Sequence, residues 1–333
     1  MTNPAEGSRR NQGRRGWLHA RADATLADVS PPRPPPPGPA RGPRLLVLGG
    51  AGQLGWDLAR LCGPETTSLR RKDLDIRDAG AVRAMVAAWA DHQPPGSSLV
   101  IVNAAAWTDV DAAEAEEEAA GAVNVTGAAN LAGATEAAGA TLIHVSTDYV
   151  FAGDEVRPYD VADRPGPVCA YGRTKLAGEE AVRSLTPRHY VVRTSWVYGA
   201  AGHNFVKTIA RLERERETLR VVDDQRGSPT WSRDLAAGLV ALASSGVPYG
   251  LYHLAGAGDT TWWGLARAVF EELGADPARV LPCTTSELSL KAPRPAYSVL
   301  SDRAWHNVGL SPLPHWRDAL AGAFAVDGEA LRP

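Results

Sequence analysis

Leu45-Leu46-Val47-Leu48-Gly49-Gly50-Ala51-Gly52-Gln53-Leu54-Gly55 is the stretch that decides how the rest of the chain is read. Its first four residues are an unbroken apolar run. That is the pattern of a strand buried on both faces of a parallel sheet, where no solvent face imposes alternation. Gly49, Gly52 and Gly55 follow at three-residue spacing, and a helix is predicted to open at Gln53. Glycine permits the tight turn, a close approach of backbone to a pyrophosphate, and close packing of helix on sheet. The free N–H groups at the helix start then face the phosphates. Strand, glycine turn and helix in this order predict a dinucleotide site at Gly49, Gly52, Gln53, Leu54 and Gly55.

Further apolar runs predict strands at 67–69, 99–102, 141–145 and 190–192, separated by Ala-rich helices over 78–91, 111–138 and 170–184. Strand alternating with helix predicts an α/β fold, a doubly wound parallel Rossmann sheet. Beyond about residue 200 the pattern loosens, with short strands at 219–222, 251–254 and 280–282 among helices near 231–244 and 261–273. A smaller, irregular C-terminal substrate lobe is expected there. The expected division is 43–200 plus about 231–255 for the cofactor domain, and about 201–230 plus 256–325 for the substrate lobe. Residues 1–42 are Arg-rich and close on Pro31-Pro32-Arg33-Pro34-Pro35-Pro36-Pro37-Gly38-Pro39. Proline lacks the amide donor and fixes φ, so a disordered, locally polyproline-II tail is expected. A ligand for a proline-recognition module would have the same composition.

A net charge of −3 over 333 residues gives no electrostatic reason to expect nucleic acid or an anionic membrane as partner. No apolar run approaches the roughly 20 residues of a membrane span. Arg9-Arg10 and Arg14-Arg15 imitate a twin-arginine export signal, but Gly16-Trp17-Leu18-His19 brings no apolar segment after them. Cys62, Cys169 and Cys283 have neither metal-ligand spacing nor a disulfide pattern, which suits a reducing cytoplasm.

An NAD site expects an acid about 20 residues past the glycines, to hold the ribose. Here Arg70-Arg71-Lys72 stand instead, which favours the 2′-phosphate of NADPH over NADH, with Asp73 or Asp75 free to touch the adenosine half. Lysine occurs only at Lys72, Lys175, Lys207 and Lys291, so Tyr171-Gly172-Arg173-Thr174-Lys175 uses a scarce residue. Four residues apart, Tyr171 and Lys175 share one helix face. Hydride reduction of a carbonyl leaves an alkoxide that needs a proton. A phenol can give it, and a neighbouring ammonium is expected to lower the phenol's pKa. Ser146 and Thr147 end a strand at the edge where open α/β sheets bind ligands. A hydroxyl there can polarise a substrate carbonyl, or simply cap a turn.

The blocks Gly52–Gly55, Asn103–Thr108, Ser146–Phe151, Tyr171–Glu179, Arg193–Gly199, Asp223-Asp224-Gln225-x-Gly227-Ser228-Pro229-Thr230 and Arg294-Pro295-x-Tyr297-Ser298 occur in this order. Together they resemble the dTDP-4-dehydrorhamnose reductases, a family of the extended short-chain dehydrogenase/reductase class, over about residues 44–322. The resemblance implies Thr147, Tyr171 and Lys175 as the catalytic triad, with Ile76, Ala104, Ala105 and Ala106 joining the cofactor site. It implies Thr108, Val110, Asp148, Tyr149 and Trp196 around a dTDP-linked 4-keto sugar, although Trp196 also reads as core. Asn204, Arg294 and Ser298 would neighbour the nucleotide diphosphate. A sister ketoreductase of another deoxysugar would keep the same motifs. A non-catalytic regulatory relative would not need the intact Thr147, Tyr171 and Lys175. Some members of the family dimerise through magnesium held by acids. Asp57 matches the first of these, but Arg233-Asp234 puts a cation in the later pair. A magnesium-bridged dimer is therefore not expected, and the oligomeric state stays open.

Overall fold

The computed structural model describes Met1 and residues 42–332, so the tail expected over 1–42 lies, apart from its two end residues, outside the described residues. In chain order the first half comprises β1 (Arg44–Leu48), α1 (Gln53–Cys62), β2 (Thr67–Leu69), α2 (Ala79–Asp91), β3 (Leu99–Asn103), α3 (Val110–Ala115), α4 (Glu117–Gly121), α5 (Ala128–Ala137), β4 (Thr141–Thr147), α6 (Ala170–Leu185) and β5 (His189–Thr194). Then come β6 (Val197–Tyr198), α7 (Phe205–Glu215), β7 (Leu219–Val222), β8 (Arg226–Gly227), β9 (Thr230–Trp231), α8 (Ser232–Ser245), β10 (Gly250–His253), β11 (Thr260–Thr261), α9 (Trp262–Glu272), β12 (Val280–Cys283), α10 (Arg303–Asn307) and α11 (Trp316–Leu331).

Six parallel strands form the central sheet in the order β2-β1-β3-β4-β5-β10. The chain moves from β1 to β2 on one side, then crosses to β3 on the other. That crossing is a topological switch point, and crevices for ligands open there beyond the strand ends. Leu46, Val47, Leu48, Ile101 and Ile143 are buried because helices cover both faces of the sheet, as the unbroken apolar runs required. Fully burying a side chain of this size is worth roughly 1.5–3 kcal/mol. Side chains set several helix starts: Asp78 accepts from the Gly80 and Ala81 amides at α2, Asn204 caps α7, and Thr261 caps α9.

Two expectations change. The helix expected over 111–138 is interrupted at Glu116 (φ −129°, ψ 42°) and passes through a π-helical stretch at Ala122–Gly127. Alanine propensity favoured helix throughout but could not register the tertiary bonds of Asn124, which bind it to Trp107 and Thr174. The segment near 303–313 was expected in the smaller lobe. Instead Trp305 and Leu313 pack with Tyr252, Leu239 and Leu242 against the sheet. A second cluster of buried residues gathers Val206, Leu265, Phe270, Leu320 and Phe324 from α7, α9 and α11.

Candidate active site

A cleft of about 730 Å3 opens at the carboxyl ends of β1 to β5. The β1–α1 turn contributes Gly49, Ala51, Gly52, Gln53 and Leu54, and the segment after β2 contributes Arg71, Leu74, Asp75 and Ile76. Gly49 has φ +87°, a conformation that favours glycine, and a side chain at Gly55 would overlap the Gly49 carbonyl. Gly55 therefore stays out of the cleft and lets α1 approach the turn. The start of α1 has no side-chain cap and no acid in its first turn, so its N–H groups and dipole are left to an external anion. A dinucleotide pyrophosphate fits that cradle. The two arginines separate: Arg71 lines the cleft, whereas Arg70 turns to Asp73 (2.9 Å) and does not. Asp75 is bound by Arg77 (2.6 Å), which lowers its carboxyl to about 2 and keeps it ionised beside Arg71. Ala104, Ala105 and Ala106 form the wall after β3.

Thr147 ends β4, and Tyr171 and Lys175 face it from the first turns of α6; all three line the cleft. The Thr147 hydroxyl donates to the Asp148 carboxylate (2.9 Å) and accepts from the Tyr149 amide (3.2 Å). It also contacts the Tyr171 phenol, which favours the phenolate, but burial outweighs this and raises the phenol's pKa. The Lys175 ammonium donates to the Val145 carbonyl (2.7 Å), and burial lowers its pKa to about 8 while Glu179 opposes the shift. The expected acidification of Tyr171 by Lys175 is thus corrected. Lys175 is directed to the strand end, and desolvation dominates the phenol. Burial raises Asp148 to about 6, against the hydroxyls of Ser298 and Thr147. The tyrosines Tyr149 and Tyr171 meet edge to face, with ring centroids 5.7 Å apart.

Beside these residues lies a buried polar network. Arg193 on β5 grips Glu179 on α6 through two bonds (2.9 and 2.7 Å), and Ser146 on β4 donates to the same carboxylate (2.5 Å). Three elements are tied at one point, one helical turn past Lys175. Thr108, Val110, Asp148, Tyr149, Trp196 and Asn204 line the cleft. Arg294 and Ser298 do not line it. Arg294 is held by both oxygens of Asp111 (3.2 and 2.9 Å), and Ser298 is buried against Asp148. Asp111, 183 residues away in the chain, thus holds the Arg294 guanidinium.

A family model described as the RmlD substrate binding domain matches residues 43–327. The chain belongs to this family. Within it, the dTDP-4-dehydrorhamnose reductase of Streptomyces griseus is 49% identical over 300 residues, covering 87% of this chain and 96% of the relative. The dTDP-4-keto-6-deoxy-D-glucose reductase of Streptomyces niveus is 47% identical over 287 residues, covering 85% and 97%. Among solved structures, the dTDP-4-dehydrorhamnose reductase of Bacillus anthracis in complex with NADP superposes with a TM-score of 0.80 at 37% identity, covering 86% of this chain and 99% of that one.

Asp57 is the first acid that a bridging magnesium would need. Its carboxylate is buried, takes the Ser232 hydroxyl, and is raised by desolvation and by Asp327, while Arg60 and Arg233 act against the rise. No group of three or more His, Cys, Asp or Glu among the described residues could hold a metal. The residues do not fit the ion. Sequence reasoning also missed parts of this RmlD-family cleft, among them His203 and Trp262. Trp262 carried one faint signal, a Thr cap just before it.

Proposed function

We propose that this RmlD-family chain reduces the C4 ketone of dTDP-4-dehydro-L-rhamnose to dTDP-L-rhamnose with NADPH. The observation that carries the reading is the meeting of Thr147, Tyr171 and Lys175 in the cleft that also holds the uncapped start of α1. Bound there, NADPH supplies the hydride. Gly49, Gly52, Gln53 and Leu54 would hold its pyrophosphate, Arg71 its 2′-phosphate, and Lys175 its nicotinamide ribose. Thr147 donates to the ketone oxygen, polarising the bond, and Tyr171 delivers the proton that the oxygen needs once C4 is reduced. The raised phenol pKa keeps that proton in place at neutral pH, so the donor is loaded before each turnover. A Lys175 pKa of about 8 leaves the ammonium charged at pH 7, with donors for the ribose hydroxyls. Thr108, Val110, Asp148, Tyr149 and Trp196 would enclose the sugar.

One observation favours a second reading. The Streptomyces niveus relative, nearly as similar, is named for a different 4-keto-6-deoxysugar. Which 4-keto sugar is turned over, and to which C4 alcohol, separates the two, so substrate and product analysis tests both. Incubation with NADPH and dTDP-4-dehydro-L-rhamnose should give dTDP-L-rhamnose by NMR. A C4 epimer, or turnover only of another 4-keto sugar, supports the sister reductase. Tyr171→Phe should lower kcat by about 10²–10⁴ with NADPH affinity retained. A variant keeping more than about a third of kcat removes Tyr171 as proton donor. Free thiols at Cys62, Cys169 and Cys283 accord with a cytoplasmic location for this activity. No helix among the described residues is long and apolar enough to cross a membrane.

A further inference from the structure

Trp196 is the one non-glycine residue among those described with a positive φ, at +47°. A bulky side chain takes that conformation at a cost, and it persists only where the surroundings over-determine it. The surroundings are specific. The Trp196 indole stacks on Trp262 at 3.5 Å between ring centroids, with the planes 6° apart, and the tilted Phe205 ring also packs on Trp262 at 4.5 Å. Both indoles line the cleft.

The pair is fixed from the Asp223–Thr230 segment. Buried Gln225 accepts from the Trp262 indole N–H (3.2 Å) and is itself anchored by donating to Thr285 (2.9 Å). Asp223 accepts from Thr261 (2.6 Å), whose hydroxyl caps the helix that Trp262 opens. Gly227 lies against the other indole: an added Cβ there would stand 2.5 Å from the Trp196 ring. A tryptophan buried only to fill a core needs none of this. The strained backbone turns the ring toward the cleft, and the frame keeps it there.

We infer that Trp262, set by Gln225, is a positioning residue for the sugar substrate, holding Trp196 as a fixed aromatic wall of the sugar pocket. The apolar C–H face of a pyranose ring packs on an indole face, so the wall contributes binding to the sugar throughout the reaction. A wall made before binding adds affinity by removing an ordering cost. The inference rests on the sugar-reductase reading, and the test separates the two.

Trp262→Leu keeps an apolar side chain beside Phe205 but abolishes the stack. Trp262→Phe keeps an aromatic face. Gly227→Ala keeps both tryptophans and displaces the Trp196 ring. Stacked indoles give an exciton couplet in circular dichroism, read without substrate. It should be present in wild type, lost in Trp262→Leu and altered in Gly227→Ala. With dTDP-4-dehydro-L-rhamnose, both variants should raise KM by roughly tenfold or more while kcat stays within about threefold, as when binding common to ground and transition states is lost. NADPH affinity should stay unchanged, and Trp262→Phe should return KM to within about threefold of wild type. If Trp262→Leu does not fold, Gly227→Ala carries the same KM test alone. A lost couplet with unchanged KM overturns the inference, as does an equal loss of NADPH affinity. Wild type inert toward the 4-keto sugar overturns the functional reading and this inference with it. An active wild type with indifferent variants overturns this inference alone.

Discussion

Asp148 follows Thr147 directly, and burial pushes its carboxyl up to about 6. Because the native pKa is raised, the folded protein holds a desolvated carboxylate above pH 6 and takes up a proton that the unfolded chain lacks between about pH 4 and 6. The penalty is therefore fully present above pH 6 and gone below the ordinary carboxylate range. Asp148→Asn removes it, so the variant should be more stable than wild type at pH 8, by roughly 3 kcal/mol at most, and gain little at pH 4. Urea unfolding at the two pH values checks this, and an equal gain at both discounts the buried charge. The arginines after β2 give a second residue-scale outcome. Arg71→Ala should raise KM for NADPH more than for NADH, whereas Arg70→Ala, whose partner is Asp73, should leave the ratio of kcat/KM values nearly unchanged. A shift in that ratio from Arg70→Ala instead would move the 2′-phosphate contact to Arg70. The sequence made Tyr171 and Lys175 legible because a helix period links them. It could not say which arginine faces the cleft, since the answer depends on where Asp73 lies.

Among the elements, α6 carries the proposed chemistry, and its seat depends on one buried ion pair. Glu179 and Arg193 have side chains only 1% and 2% exposed, and the pair joins α6 to β5 while Ser146 adds β4. Removing one partner strands a desolvated charge, which typically costs 3–5 kcal/mol. Glu179→Gln should lose about that much in urea unfolding, and kcat should fall with it because Lys175 is one turn away. Glu179→Leu with Arg193→Met should recover much of the stability, as no charge is then left unpaired. A loss below about 1 kcal/mol for Glu179→Gln would mean that packing alone seats the helix. Both residues lie in motif blocks visible in the sequence, yet their pairing needs β5 laid beside β4, which no local pattern shows. The interrupted helix over 111–138 failed for the same reason. Asn124 reads as an ordinary helical polar residue until Trp107 and Thr174 are brought to it.

At the scale of the molecule, the sheet was legible because each strand is an apolar run buried on two faces. The C-terminal lobe was not. Its strands β8, β9 and β11 are two residues long, and its order comes from contacts such as Arg294 with Asp111 and Arg60 with Asp327. That second contact bears on whether a divalent ion belongs to the fold. Asp57, Asp234 and Asp327 interact near the junction of α1, α8 and α11, an arrangement that would invite a cation if the carboxylates were free. They are engaged: Ser232 occupies Asp57, Arg60 binds Asp327 at 2.9 Å, and Arg233 acts on both Asp57 and Asp234. A divalent ion would have to displace the Arg60 guanidinium and the Ser232 hydroxyl, and would meet the positive charge of Arg233. An ion held at a hundred times its Kd adds about 2.7 kcal/mol to the folded state, a shift of several degrees in Tm for a chain of this size. Excess EDTA should therefore leave Tm, kcat and the sedimentation coefficient where magnesium-containing buffer puts them. A fall of several degrees on chelation, or dissociation to a smaller species, would show that a metal completes this cluster in spite of its arginines. Arg60→Ala sharpens the comparison. With that guanidinium gone the acids repel, so the variant should lose stability, and only in this variant should magnesium restore Tm.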